Sequence, residues 1–132
     1  MMPSATGTCA GTRGRLRLAR RSSVAAVVDG VWWPRCRELG EELPLIVPVL
    51  GTRLRSLARV QYSSLDWRPA GPELHLCGAI TDLDGSRDNP HGYISFIGPD
   101  STVVFGLVAP EVPASTAEQQ MTSLLLLRRR LD

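Results

Sequence analysis

Apolar and polar positions alternate in several short runs of this chain, and recur every three or four residues in two longer ones. In "RGRLRLARR", residues 13–21, Leu16 and Leu18 fall on one side of an extended chain and Arg15 and Arg17 on the other. That is the period of a half-buried strand. Ser22 and Ser23 interrupt it, and "VAAVVDG" reads as a second short strand or extended approach closed by an Asp-Gly turn. From Arg35 the spacing changes: Leu39, Leu43, Val47, Leu50, Leu54 and Leu57 form a helical stripe. Glu38, Glu41 and Glu42 lie near its start, where the helix dipole favours anions. Pro44 and Pro48 remove interior backbone bonds, so the stripe predicts a kinked helix, or a short one followed by a second from Pro44.

"LARVQYSSLDW" (57–67) reads as a strand ended by "RPAGP", and "ELHLCGAI" (73–80) as another. "TDLDGSRDNPHG" (81–92) reads as a polar loop, and "YISFIGPDSTVVFGLVAP" (93–110) as two strands around a Gly-Pro-Asp-Ser turn. In "ASTAEQQMTSLLLLRRR", Ala117, Met121, Leu124 and Leu125 have helical spacing, Ser115 with Glu118 makes a capping box, and Arg128–Arg130 suit the C-terminus. The order of strands, helix, strands, helix predicts an α+β fold: a small, mainly antiparallel sheet with two helices packed on one face. The expected division is a flexible segment over 1–13 and a single domain over 14–128. With 43% apolar and 21% charged residues in a chain of 132, such a domain has material enough for a core.

The longest apolar runs are far too short to span a membrane, and the first residues lack the apolar stretch of a signal peptide, so a cytoplasmic protein is expected. Cys9, Cys36 and Cys77 are odd in number and widely spaced, which fits reduced thiols better than a disulfide scaffold or a zinc site. All 15 basic residues are arginine. This suits phosphate binding but is also the codon bias of a GC-rich genome, which the abundant Ala, Gly and Pro share. Residues 13–37 carry seven Arg against Asp29 alone, while 38–127 carry five Arg against eleven acids. The basic section would steer an anionic partner or pair with the acidic body.

Two of the three tryptophans stand side by side in "DGVWWPRCRELGEELP", residues 29–44. Adjacent residues of an extended segment face opposite ways, so Trp32 and Trp33 cannot both enter one core. Pro34 forbids a helical Trp33 and suits the opening of the following helix. The motif therefore reads as a strand-to-helix corner locked by two rings, or as a recognition lip in which a Trp beside Arg35 and Arg37 stacks on a ring and binds its phosphate.

Asp29, Gly30, Trp32, Trp33, Pro34 and Arg35, followed by Leu39, Glu42, Leu43 and Pro44, resemble the hallmark of a family of small actinobacterial proteins of unknown function. "RVQYSSLDW" is similar to that family's strand ending in Trp, "NPH" to its Asp-Pro-His turn, and "LVAPEVPASTAEQQM" to its proline-rich ending; the likeness spans about 14–125. Cys36 stands where a serine is usual, Asn89 where an aspartate is usual, and the 78–90 segment is longer. The resemblance implies a single cytoplasmic domain and supplies no activity.

Among chemical constellations, Cys77 and His91 would make a thiol–imidazole pair, with Asp88 as orienter or as alternative partner of His91. "DLDGSRDN" has alternating carboxylates, but its Gly is misplaced for an EF-hand and Tyr93 stands where the bidentate Glu belongs. Walker, dinucleotide, zincin and nucleophile-elbow motifs are all missing. No cofactor and no metal are expected. The favoured reading is a non-enzymatic accessory module that binds a protein partner or a small ligand. Its contact residues would be Trp32, Trp33, Arg35, Arg37 and His91, and a polar sheet face bearing Arg15, Arg17, Arg59 and Gln61 would serve as an interface or homodimer surface. The alternatives are a nucleic-acid-binding protein using the arginine-rich section and the Trp pair, and a small enzyme using His91 with Cys77 or Asp88.

Overall fold

The computed structural model describes residues 15–19, 27–76 and 78–127. The segment expected to be flexible, Cys9, Arg13, Arg20, Arg21, Cys77 and Arg128–Arg130 lie outside them. Among the described residues, seven strands and two helices follow in the order β1 (Leu16–Leu18), β2 (Gly30–Trp32), α1 (Leu39–Leu50), β3 (Arg59–Ser63), β4 (Glu73–Leu76), β5 (Ala79–Ser86), β6 (Tyr93–Ile97), β7 (Thr102–Leu107) and α2 (Ala114–Leu126). All seven strands join one sheet in the spatial order β1-β2-β7-β6-β3-β5-β4. The α+β expectation holds, but the sheet is larger than foreseen and mixed. β2 runs parallel to β7 and β3 parallel to β5, while the other four pairings are antiparallel.

The helices cover opposite faces of this sheet, a correction to the placement of both on one face. Trp32, Ile94, Phe96, Val103 and Phe105 turn toward α1 and pack with Leu39, Leu43, Ile46 and Leu50. The neighbours of opposite parity, Val31 and Val104, pack with Ala117, Met121 and Leu124 of α2. Strand alternation makes both faces of the β2–β7 region apolar, and each needs its own cover. Two glycines permit close approach. A Cβ on Gly30 would lie 2.6 Å from the Arg17 carbonyl oxygen of β1, and one on Gly106 would lie 3.2 Å from Leu124 of α2.

α1 accommodates Pro44 and Pro48 within a single helix. Both prolines face solvent while Leu39, Leu43, Ile46 and Leu50 are buried, so the apolar stripe outweighs two lost backbone bonds. α2 starts after Pro113, with no side-chain cap from Ser115. Residues 81–86, read as loop, continue a strand that begins at Ala79, because Thr81 and Leu83 point inward with period two while Asp82 stays outside. The strand read over 57–67 stops at Ser63, and residues 64–67 form a turn in which Asp66 N–H donates to the Ser63 carbonyl and Leu65 N–H to Ser63 Oγ. Asp29 makes no hairpin turn. Its N–H donates to the Val104 carbonyl while its carboxylate accepts the Val104 N–H at 2.8 Å, fastening the entry of β2 to β7.

Among the described residues no helix is long and apolar enough to cross a membrane. Cys36 is disulfide-bonded. This corrects the reduced-thiol expectation at that position, since chain spacing does not determine whether a cysteine is paired.

Candidate functional site

The two tryptophans separate as their adjacency requires. Trp32 is wholly buried on the α1 face, its ring 5.3 Å from Trp67 and 6.5 Å from Phe96. Trp33, half-buried, belongs to the α2-side cluster, where the Arg15 guanidinium stacks 3.6 Å from its ring centroid. The same guanidinium donates through Nε to the Trp33 carbonyl at 2.9 Å and through Nη2 to the Pro34 carbonyl at 3.0 Å. Beneath the corner Glu42, only 1% exposed, accepts the Arg35 N–H at 3.2 Å. Its carboxyl is held above the ordinary range, chiefly by desolvation, against the lowering effect of the Arg35 and Cys36 backbone and the Arg15 and Arg35 charges. The Cys36 sulfur lies 3.4 Å from the same carboxylate, but a disulfide sulfur has no proton to donate.

A cavity of about 300 Å³ opens on one side of this corner. Pro34 and Arg37 come from the corner, Asp66 and Trp67 from the turn after β3, His91 and Gly92 from the turn before β6, and Leu107–Pro110 from the exit of β7. Local hydrogen bonds fix each contributor. Asn89 Nδ2 donates to the Tyr62 and Asp84 carbonyls, both at 2.9 Å, anchoring the loop that carries His91. Gly92 takes a left-handed φ of 87°, which favours glycine, and donates its N–H to Asp66 Oδ2 at 2.8 Å. The other oxygen, Oδ1, lies 2.6 Å from His91 Nδ1. Asp66 is thus a buried carboxylate with both oxygens engaged, while the His91 side chain is 69% exposed. With Nδ1 committed to Asp66, Nε2 is the ring nitrogen left to serve a ligand.

Arg37 closes the opposite wall. Its Nη1 donates to the Asp66 carbonyl at 2.7 Å and its own carbonyl accepts the Arg68 N–H, so the corner and the Asp66 turn are fastened together. Nε and Nη2 make a bidentate pair with Glu111 at 2.9 and 2.7 Å. The pair reinforces both charged forms: Glu111 raises the Arg37 pKa, and Arg37 lowers that of Glu111.

Of the five contact residues expected from sequence, the cavity brings together Arg37 and His91. Trp32 is core, Trp33 lies under Arg15, and Arg35, exposed, contributes a backbone N–H to Glu42. The carboxylate beside His91 is Asp66, which lies inside a segment expected to be strand, and not Asp88; the expected Cys77 partner lies outside the described residues. The only signal for it was its position one residue before Trp67. Among the described arginines of this section, Arg15 pairs with the Trp33–Pro34 backbone, Arg17 with Glu118, and Arg37 with Glu111. Arg15, Arg17, Arg59 and Gln61 do share one sheet face by register, but Arg17 is engaged by α2 and Gln61 donates to Asp84 at 3.2 Å. Among the described residues no group of three or more His, Cys, Asp or Glu is placed to hold a metal ion.

Comparison with curated proteins and with solved structures finds no match to this chain. One family model matches residues 15–124, a span that includes the corner, the Asp66 turn, His91 and all but the end of α2. The chain belongs to this family, DUF5994, a family of unknown function.

Proposed function

We propose that this protein binds a small organic molecule in the cavity between the Trp-Trp-Pro corner, the Asp66 turn and the exit of β7. The observation that carries the reading is the convergence, on one space of about 300 Å³, of an apolar wall with two oriented polar side chains, Arg37 and His91. Pockets for small ligands begin at this volume and combine such walls with few polar groups. A single-ring molecule matches the size. The orienting contacts around Asp66 fix the polar groups beforehand, which reduces the entropy lost on binding.

Amide chemical-shift mapping with benzyl alcohol and indole tests the reading. Shifts are expected at Trp67, Gly92 and Val108, with millimolar affinity, and Ala109→Phe should weaken binding by about tenfold or more by filling the space. Shifts scattered away from the cavity, or none up to solubility, would refute it.

A second reading rests on the Asp66–His91 contact alone. An imidazole oriented at Nδ1 by a buried carboxylate is equipped to take a proton at Nε2 from a bound molecule or water. Turnover of p-nitrophenyl acetate above that of equimolar free imidazole, lost in His91→Gln and reduced about tenfold or more in Asp66→Asn, is the expected result on this reading. Equal rates for all three proteins would eliminate it.

A further inference from the structure

The fork of Arg37 is already filled by a carboxylate, and that carboxylate is largely exposed. Glu111 presents both oxygens to Nε and Nη2, yet its side chain is 65% exposed and sits on the turn between β7 and α2. Arg37 is fixed from behind by the Asp66 carbonyl and is part of the cavity wall. Next to the fork the cavity offers Pro34, Trp67, Leu107, Val108 and Pro110. A planar anion-binding fork therefore stands at the edge of a cavity with one apolar wall, occupied by a group that returns to water on release.

Building on the small-molecule reading, we propose that the ligand is an ionised carboxylic acid with a compact apolar body. Its carboxylate replaces that of Glu111 on Arg37, and its body enters the cavity beside Trp67. The exchange keeps one carboxylate on one guanidinium, so no new unpaired charge is created in the pocket. Both Asp66 oxygens are held in contacts of their own, with Gly92 N–H and His91 Nδ1. Neutral molecules gain the apolar contacts but have no group that fits the fork bidentately. Glu111 then acts as a built-in competitor. Tethered close to the fork, it has a high local concentration and weakens the apparent affinity for any outside carboxylate.

Calorimetric and chemical-shift titrations with sodium benzoate, using benzyl alcohol as the neutral counterpart, test the exchange. Benzoate is expected to bind the unaltered protein, to bind Glu111→Ala about tenfold or more tightly, and to lose about tenfold or more in Arg37→Met. Benzyl alcohol should bind the unaltered protein and Glu111→Ala alike. Benzoate affinity unchanged by Glu111→Ala overturns the proposal, and this arm stands even if Arg37→Met fails to fold. Binding of benzyl alcohol without benzoate overturns the carboxylate assignment while leaving the cavity as a ligand site. Binding of neither, in any variant, overturns both.

Discussion

Trp32→Ala should destabilise the protein by about 3–5 kcal/mol, measured by urea unfolding with linear extrapolation. Stabilities of small domains are about 5–15 kcal/mol in total, so the variant will be close to the limit of folding. The magnitude follows from position. The indole is fully buried, is in contact with Trp67 and Phe96, and lies in the cluster that joins α1 to the central strands. Its Nε1 is buried without a hydrogen-bond partner among the described residues, so the ring contributes area and shape and not a polar bond. Trp32→Phe should therefore lose much less than Trp32→Ala. Trp33→Ala, removing a half-buried ring and its stacking with Arg15, should cost about 1–2 kcal/mol. Equal losses for the two tryptophans would contradict their assignment to opposite faces.

What the chain reveals beforehand depends on how local the determining contacts are. The β6–β7 hairpin was legible because alternation and turn chemistry lie within fifteen residues of one another. β5 beyond Ile80 was not, since Asp82, Asp84 and Gly85 have loop composition and pair in parallel with β3, some twenty residues earlier. Each helix was foreseen from its stripe. Which side of the sheet each would cover depends on strand parity at the Val31–Trp32 step, and that parity has meaning only once the sheet order is known. The same limit applies to the site. Arg37 and His91 stood out as residue types, whereas Asp66 acquires its role from Gly92, 26 residues away, through a hydrogen bond that no spacing rule announces. Glu42 looked like an anion suited to the start of a helix, but α1 turns it inward under the corner.

That inward turn gives the second large effect. Glu42→Ala removes the acceptor of the Arg35 N–H and leaves a void under the corner, and should cost about 2–4 kcal/mol. Glu42→Gln separates the packing of the side chain from its charge. The buried carboxyl titrates above its ordinary range, so between the unfolded and folded values the native state binds the proton that the unfolded chain has released. The stabilisation from the neutral form is fully present below the ordinary carboxylate range and declines as pH rises through the raised folded value. Unfolding midpoints measured in steps from pH 4.5 to 8 should show this component in the unaltered protein and lack it in Glu42→Gln. Because burial, the largest influence on this group, opposes its charge, Glu42→Gln should match or exceed the unaltered protein at pH 8. An opposite result, with the glutamine variant losing stability most at pH 8, would mean that the charges of Arg15 and Arg35 outweigh desolvation and that the corner is held by ion pairing. The desolvation reading instead makes Glu42 a shape-filling acceptor whose charge the corner tolerates, and it leaves Arg37, at the cavity, as the arginine of this segment whose pairing carboxylate is free to exchange with solvent.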